Sequence, residues 1–374
     1  MNILMTAMQP GGGIRTFFRY IYSQPVFGGF TFTLLAPDEG LSDYLCEFLP
    51  EGRITVTSAY PSPIKFMRQI RRLSQKPDFD LVHSHGFSAG VLTEFAMAGG
   101  SKAHLMTAHD VFNQAQFEGF KGHLKQRIMA AAFRRMDAIH TVTEDAKTNL
   151  IEFFPGVAPT QVEGILHGVD TKYFRDGIPE HLKEPLGLSP DTPLIGFFGR
   201  FMGQKGFRLI VQAIKRIRDE KLLPAVPHVA TFGWGGFIRE DYAYLEELGL
   251  KAYFHQMAQT NNMAGALKGV DVVAMPSRWE ACGLLAMETL AAGVPIVGSS
   301  CIGLREVLEG SPAKRIPVGD SKALADALVH ELENSAQRKQ EFGNYQSIAV
   351  ERFAIDRPAS ALAELYKQLI SQAN

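Results

Sequence analysis

The chain has 374 residues, enough at roughly 100 to 200 residues per domain for two domains, and this excludes a small disulfide-stapled scaffold. With 46% hydrophobic and 21% charged residues it can bury ordinary cores, which excludes a disordered chain. Its 38 basic and 39 acidic side chains leave a formal net charge of −1, so nothing in the overall charge calls for a nucleic-acid partner.

Three cysteines, Cys46, Cys282 and Cys301, show no C-x-x-C spacing, so neither a disulfide framework nor a zinc ribbon is expected and a reducing compartment fits best. The opening Met1-Asn2-Ile3-Leu4-Met5 reaches a Pro-Gly-Gly-Gly turn by Gly13, which leaves no room for a signal peptide. No run approaches the roughly 18 apolar residues that span a bilayer. The expected location is cytoplasmic, at most peripheral at the inner face of a membrane.

Short apolar runs alternate with segments of helical period, the pattern of parallel strands joined by crossover helices. The predicted strands of a first series are Asn2 to Met5, Phe30 to Ala36, Ile54 to Thr57, Leu81 to His83, His104 to Thr107, Ala138 to Val142 and Val162 to Leu166. Helices are predicted at Ile64 to Leu73, Phe87 to Ala98 and Leu124 to Met136. From Gly168 to Pro193 the period lapses among Pro179, Pro185, Pro190 and Pro193, which marks a linker. A second series follows, with strands at Leu194 to Phe198, His228 to Phe232, Lys251 to Phe254, Asp271 to Ala274 and Pro295 to Gly298. Its helices are predicted at Leu209 to Arg218, Gly283 to Ala292 and Ala323 to Leu332, and an amphipathic segment, Arg357 to Ile370, closes the chain. The expected architecture is two doubly wound α/β domains.

In open parallel sheets ligands bind beyond the carboxyl ends of the strands, so residues that follow strands are the candidates for chemistry. After the first strand, Gln9-Pro10-Gly11-Gly12-Gly13 lets backbone approach a ligand, or is a plain turn; it does not complete a G-x-G-x-x-G dinucleotide fingerprint. After the first strand of the second series, Gly199-Arg200-Phe201-Met202-Gly203-Gln204-Lys205-Gly206 sets a guanidinium fork and an ammonium five residues apart. Such a pair suits a diphosphate, the alternative being two solvated charges. It is not a Walker A loop, because Gly206 rather than Ser or Thr follows Lys205. Further on, Pro276-Ser277 and Glu280-Ala281-Cys282-Gly283-Leu284 lead into a helix that carries Glu288. The first N–H groups of that helix can hold a phosphate, and the two carboxylates can accept from sugar hydroxyls; the alternative is an exposed loop acid and a helix-surface acid.

Taken together, Gly199-Arg200 with Lys205-Gly206, Pro276-Ser277, and Glu280 with Glu288 resemble the retaining glycosyltransferases of family 4. The resemblance runs over nearly the whole chain through Gly12-Gly13, Asp80-Leu81-Val82-His83-Ser84-His85, Thr107-Ala108-His109-Asp110, Gly168-Val169-Asp170 with Phe174, and Ala291-Ala292-Gly293-Val294-Pro295. It implies the GT-B fold, two Rossmann-like doubly wound domains facing across a cleft. Residues 1–168 plus 357–374 would form the acceptor-side domain and 169–356 the nucleotide-sugar domain. It implies that Arg200 and Lys205 neutralise a sugar nucleotide's diphosphate, that Glu288 takes the ribose hydroxyls, and that Glu280 contacts the donor sugar. Cys282, Gly283 and Leu284 would complete the cradle with backbone N–H groups, Gly12 and Gly13 would close over the diphosphate, and His109 would stand near the donor sugar and acceptor. No cofactor and no metal are expected; the one D-x-D match, Asp78-Phe79-Asp80, precedes its strand and so belongs to the other end of the sheet. His83 and His85 frame a strand end and read as structural, the alternative being a role near the acceptor. Cys282 as a nucleophile lacks a base identifiable in the sequence.

Two departures touch the sugar contacts: His167 stands where the family often has Asn, and Glu280-Ala281-Cys282-Gly283 where it commonly reads Glu-Gly-Phe-Gly. The expected activity is transfer of a sugar from a nucleotide-diphosphate sugar to an acceptor hydroxyl in cell-surface polysaccharide or lipopolysaccharide assembly. The alternatives are a nucleotide-sugar epimerase, a sugar phosphorylase, or a non-catalytic sugar-nucleotide binder. On the acceptor side, no acid falls between Glu51 and Asp78, where Arg53, Lys65, Arg68, Arg71, Arg72 and Lys76 gather, nor between Glu118 and Asp137, where Lys121, Lys125, Arg127, Arg134 and Arg135 gather. In the first stretch Phe66, Met67, Ile70 and Leu73 form an apolar stripe. Either these are core-facing helices with solvated basic backs, or the first domain meets an anionic membrane surface or a lipid-linked or phosphate-bearing acceptor.

Overall fold

A computed structural model describes residues 1–373, and Asn374, which the sequence reading assigned to the first domain, lies outside the described residues. The chain forms two compact units, Met1–Gly168 together with the chain from Ile355 onward, and Val169–Ala354.

The first unit begins with β1 (Asn2–Ala7), α1 (Gly13–Tyr22), β2 (Thr31–Ala36), α2 (Leu41–Phe48), β3 (Ile54–Ser58) and α3 (Pro63–Ser74). It continues with β4 (Leu81–His85), α4 (Phe87–Ala96), β5 (His104–Ala108), α5 (Gly119–Phe133), β6 (Ala138–Thr141), α6 (Glu144–Phe153) and β7 (Val162–Gly164). The second unit opens with α7 (Thr171–Asp176), β8 (Leu194–Phe198), α8 (Phe207–Asp219), β9 (His228–Phe232), α9 (Ile238–Glu247), β10 (Phe254–Gln256) and α10 (Met263–Lys268). Then come β11 (Val272–Met275), α11 (Leu284–Ala291), β12 (Ile296–Ser299), α12 (Leu304–Leu308), β13 (Lys314–Ile316), α13 (Ser321–Glu333) and α14 (Ser335–Arg352). The final helix, α15 (Asp356–Ala373), belongs to the first unit.

Each unit is built on one parallel sheet, with strand orders β3-β2-β1-β4-β5-β6-β7 and β10-β9-β8-β11-β12-β13. Helices cover both faces of such sheets, so the central strands are apolar throughout: every residue of β8 is buried. The helix after it shows the complementary pattern. In α8, Phe207, Ile210, Val211, Ile214 and Ile217 are buried at helical spacing while Arg208 and Lys215 face outward. Each such apolar side chain contributes about 1.5–3 kcal/mol by leaving water. In the tail, Leu362, Leu365, Tyr366 and Leu369 of α15 are buried, and the Tyr366 ring packs near Phe27, Phe30 and Phe32.

The stretch 168–193, expected as a linker, belongs from Val169 onward to the second unit and carries α7, whose Thr171 and Phe174 are buried in it. Three further segments differ from the sequence reading for identifiable reasons. Residues 251–253 form a 3-10 turn, and the strand begins only at Phe254, because the Tyr253 N–H bonds back to the Leu250 carbonyl. β13 went unread because of its Lys314, Arg315 and Ile316 only the last is buried. α5 begins five residues before Leu124, at Gly119, its start masked by two glycines. Gly122 is required there, since a Cβ would run into the Phe117 backbone.

Candidate active site

In both sheets the strand order reverses beside the first strand of the unit. β1 pairs with β2 on one side and β4 on the other, and β8 pairs with β9 and β11. Loops that leave neighbouring strands at such a point diverge to opposite faces and open a crevice at the carboxyl edge. The loops after β8 and β11 hold Arg200, Lys205, Glu280, Cys282 and Gly283; those after β1 and β5 hold Gly12 and His109.

The loop after β8 is anchored by Phe201, which is fully buried against Phe197, Phe207 and Tyr242. That anchor leaves its neighbour Arg200 exposed, with no carboxylate in ion-pairing range among the described residues. The chain then turns through Gly203–Lys205 to Gly206 at φ +72°, where a Cβ would strike the Pro276 carbonyl oxygen. Gly206 therefore lets the two loops touch. Across the contact the Arg278 N–H donates to the Gln204 carbonyl at 2.7 Å, and Gln204 Nε2 donates to the Trp279 carbonyl at 2.8 Å.

Lys205 Nζ lies 2.7 Å from Glu280 Oε1, and Ser277 Oγ donates to the same oxygen at 2.7 Å. Glu280 is only 7% exposed, so the exposed-loop alternative for it does not hold. An ammonium has three N–H donors, and Glu280 occupies one. Directly after Glu280, Gly283 at φ +72° caps α11, whose first amides, of Leu284 and Leu285, have no intrahelical acceptor. Glu288 stands half-buried four residues beyond Leu284, about 6 Å along the helix. Cys282 is buried, and burial pushes the Cys301 thiol up to about 11, so Cys301 is protonated near neutrality.

In the first unit Gly12, at φ +54° and ψ −126°, precedes α1, and a Cβ added at Gly11, Gly12 or Gly13 would meet only open space. His109 is half-buried just past β5, edge-on to Phe17 at 4.9 Å, with Nε2 3.1 Å from His85 Nδ1. Around the Phe17 ring also lie His85, His140 and His167. Both ring nitrogens of the buried His167 lack a partner among the described residues. Nothing local in the sequence joined these histidines, or Tyr22 and Tyr366, into one cluster; the only hint was their recurrence at strand ends.

Asp78-Phe79-Asp80 is spent on the opposite edge, where Asp80 Oδ2 accepts from the Asn2 N–H and the Asp78 carbonyl from Asn2 Nδ2. The two basic stretches divide. Phe66 and Ile70 of α3 are buried in the core, so that helix has a solvated basic back and no free apolar stripe. On α5, by contrast, Phe120 (84% exposed), Leu124 (49%) and Ile128 (43%) form an outward apolar row at i, i+4 and i+8 beside Lys121 and Lys125.

Burial, reinforced by neighbouring imidazoles, holds His83, His85 and His109 well below the usual histidine value of 6.5, His140 at about 4 and His167 at about 3; for His140 burial alone lowers it. The unfolded chain therefore takes up protons before the folded one. The stability due to these neutral rings is complete above the unfolded value of 6.5 and is lost as pH falls toward the folded values. Thermal unfolding should show stability falling with acid below about pH 6.5, by up to about 1.4 kcal/mol per pH unit for each ring that titrates only on unfolding. His167→Asn should flatten that slope, and a melting temperature independent of pH in this range would contradict the burial of neutral imidazoles.

Two family models cover most of the chain: Glycosyltransferase Family 4 over residues 11–173 and Glycosyl transferases group 1 over residues 192–334. The chain is 28% identical over 248 residues to the lipopolysaccharide core biosynthesis mannosyltransferase LpsB of Rhizobium meliloti, covering 63% of this chain and 67% of that protein. It is 25% identical over 357 residues to the Escherichia coli UDP-Gal:alpha-D-GlcNAc-diphosphoundecaprenol alpha-1,3-galactosyltransferase, covering 91% and 90%. Among solved structures, Anabaena HepE in complex with UDP-glucose superposes with a TM-score of 0.83 at 19% identity, over 98% of this chain and 100% of that one. WaaG, a glycosyltransferase involved in lipopolysaccharide biosynthesis, superposes at 0.75 and 17% identity, over 98% and 99%. Two parallel sheets of matching architecture and two family models in series lead to one conclusion: the chain belongs to the group 1, family 4 glycosyltransferases and has the GT-B fold.

Proposed function

We propose that this glycosyltransferase moves a sugar, with retention at the anomeric carbon, from a nucleotide-diphosphate sugar to an acceptor hydroxyl in the assembly of lipopolysaccharide or a related surface polysaccharide. The observation that carries the reading is the Lys205–Glu280 pair, set beside the exposed Arg200 guanidinium and the open first turn of α11. A buried carboxylate holds one face of the ammonium, and its remaining donors, the guanidinium fork and the helix amides make a ready anion site. The relatives' names point the same way, one to lipopolysaccharide core synthesis and one to a UDP-sugar donor.

Breaking the bond between the anomeric carbon and the phosphate oxygen sends the electron pair to the diphosphate and leaves positive charge on the sugar. Fixed cations at the phosphate therefore contribute more in the transition state than in the bound substrate. Arg200 and Lys205 are assigned to that charge, and the amides at Gly283 and Leu284, with the backbone of Cys282, to the phosphate oxygens. Glu288 is assigned to the ribose. Glu280 is given two tasks, orienting Lys205 and accepting from the donor sugar. The acceptor oxygen attacks on the face the diphosphate leaves, and its proton passes to the departing phosphate oxygen. No metal is assigned to the reaction. From the first unit, the backbone at Gly12 and Gly13 is assigned to the diphosphate and His109 to the sugar and acceptor.

Arg200 and Lys205 separate binding chemistry from folding. Arg200→Ala removes an exposed, unpaired charge, so stability should stay within about 0.5 kcal/mol while turnover falls by about 10²-fold or more. Lys205→Ala should cost turnover and also about 3 kcal/mol of stability, because it strands the Glu280 carboxylate. Full turnover by the Arg200 variant with any UDP-, GDP- or ADP-sugar that the native chain uses would remove the mechanism.

We further propose that the protein works in the cytoplasm at an anionic membrane surface, docked through the row Phe120, Leu124 and Ile128 with Lys121 and Lys125. No helix among the described residues is long and apolar enough to cross a membrane. Co-sedimentation with anionic vesicles at low salt should fall at least tenfold or so on Phe120→Asp with Leu124→Asp, each lost apolar anchor being worth over about 1.4 kcal/mol. Equal sedimentation of native chain and variant would rule out docking by α5.

A further inference from the structure

In the second unit the two carboxylate oxygens of Glu280 have different surroundings. Oε1 takes both of the side chain's donors, Lys205 Nζ at 2.7 Å and Ser277 Oγ at 2.7 Å. Oε2 has no hydrogen-bond partner among the described residues and retains contact with solvent. A carboxylate offers about four lone-pair sites, so those on Oε2 stand open. The Ser277 hydroxyl is in the opposite position. It is 1% exposed, and Oε1 is its one acceptor among the described residues, so its hydrogen is committed to Glu280.

Neither donor alone would set the orientation of the carboxylate. The last side-chain torsion of a glutamate is broad and two-fold, so a single hydrogen bond leaves the group free to turn about it. Two donors on one oxygen from different directions remove that freedom. The directions differ because Lys205 comes from the turn after β8 and Ser277 from the loop after β11, three residues ahead of Glu280. Lys205 ends a flexible four-carbon stem, whereas the serine hydroxyl sits one carbon from the backbone, so the serine is the stiffer reference. Its backbone is held as well: the Ser277 carbonyl accepts from the buried Ser299 hydroxyl, and the Glu280 N–H bonds the Ile302 carbonyl at 3.2 Å. Residues 277 to 280 are thus tied at both ends to the end of β12 and the loop that follows it.

We infer that Ser277 is a positioning residue for donor binding, setting Glu280 so that Oε1 is spent on Lys205 and Oε2 is the atom that accepts from a hydroxyl of the transferred sugar. This rests on the proposed contact of Glu280 with the donor sugar. The consequence is a division of the donor's affinity. Lys205 keeps its attraction to the carboxylate with or without Ser277, so the hold on the diphosphate is independent of the serine. The part contributed by the sugar depends on it.

The test is calorimetric titration of the full chain with UDP and UDP-glucose, GDP and GDP-mannose, and ADP and ADP-glucose, followed by the variants with the pair that the native chain binds. In Ser277→Ala the affinity for the sugar nucleotide should fall roughly tenfold, the equivalent of about one hydrogen bond to a charged group, while affinity for the nucleoside diphosphate stays within about twofold. An unchanged ratio of the two affinities, or an equal loss of both, overturns the inference; a serine that served only to hold the loop would give one of these. Glu280→Ala supplies the control, because a serine that acts through the carboxylate has nothing left to position once that group is gone. In that background Ser277→Ala should leave the ratio where it was, the non-additivity expected of two groups in one network. A further loss of roughly tenfold there would overturn the route through Glu280. Melting curves establish that each variant is folded; should Glu280→Ala fail to fold, the comparison of Ser277→Ala with the native chain decides. If the native chain binds none of these nucleotides, the sugar-nucleotide reading falls and this inference with it. If it binds a pair whose ratio Ser277→Ala does not move, the inference falls alone.

Discussion

A lysine ammonium and a glutamate carboxylate 2.7 Å apart, 75 residues apart in sequence, hold together the two loops to which the proposed chemistry of the second unit is assigned. Partly desolvated pairs of this kind contribute little net stability, because losing water offsets most of the attraction. What the pair does instead is fix position. Ser277 and Lys205 both bind Glu280 Oε1, the Ser277 carbonyl accepts from Ser299 Oγ, and the Glu280 N–H bonds the Ile302 carbonyl at 3.2 Å. Three strand ends, those of β8, β11 and β12, thus converge on one carboxylate. A positive charge held this firmly need not be reorganised when negative charge develops near it, which is where electrostatic catalysis gains most.

The first unit answers a different requirement. Its strands carry uncharged imidazoles and a hydroxyl, joined by the phenols of Tyr22 on α1 and Tyr366 on α15, where the second unit carries ions. Buried polar networks of this kind specify orientation when every member is satisfied and are costly where one is not. Among the described residues of this unit the unsatisfied side-chain atoms belong to His140 and His167, so the cost is local. The tail helix takes part through Tyr366, so the last segment of the chain helps to define an edge of the first sheet.

Much of the fold was legible because parallel strands buried on both faces must be apolar runs. β8 and β9 fall on the predicted residues, Leu194–Phe198 and His228–Phe232. What escaped was locally ambiguous. Glycines obscured the starts of α1 and α5, and α14 is so polar that only Arg338, Phe342, Tyr345 and Ala349 are buried along its length. For the site, residue types after strands could be read because that edge is where backbone N–H groups and side chains can reach a ligand. The Lys205–Glu280 pair could not, since it depends on Gly206 allowing two distant loops to meet. The contact of Tyr22 with Tyr366 spans 344 positions and leaves no periodic trace. The exposed row on α5 was hidden by the misplaced helix start, which took Phe120 out of register with Leu124 and Ile128.

Where a departing diphosphate is held can be read from a crystal of the protein soaked with a nucleotide-diphosphate sugar. Phosphate oxygens should then lie within about 2.7–3.2 Å of Lys205 Nζ, the Arg200 guanidinium and the amides opening α11, with Glu288 on the ribose hydroxyls. A diphosphate bound elsewhere, with Lys205 still turned wholly to Glu280 and Arg200 in solvent, would contradict that placement.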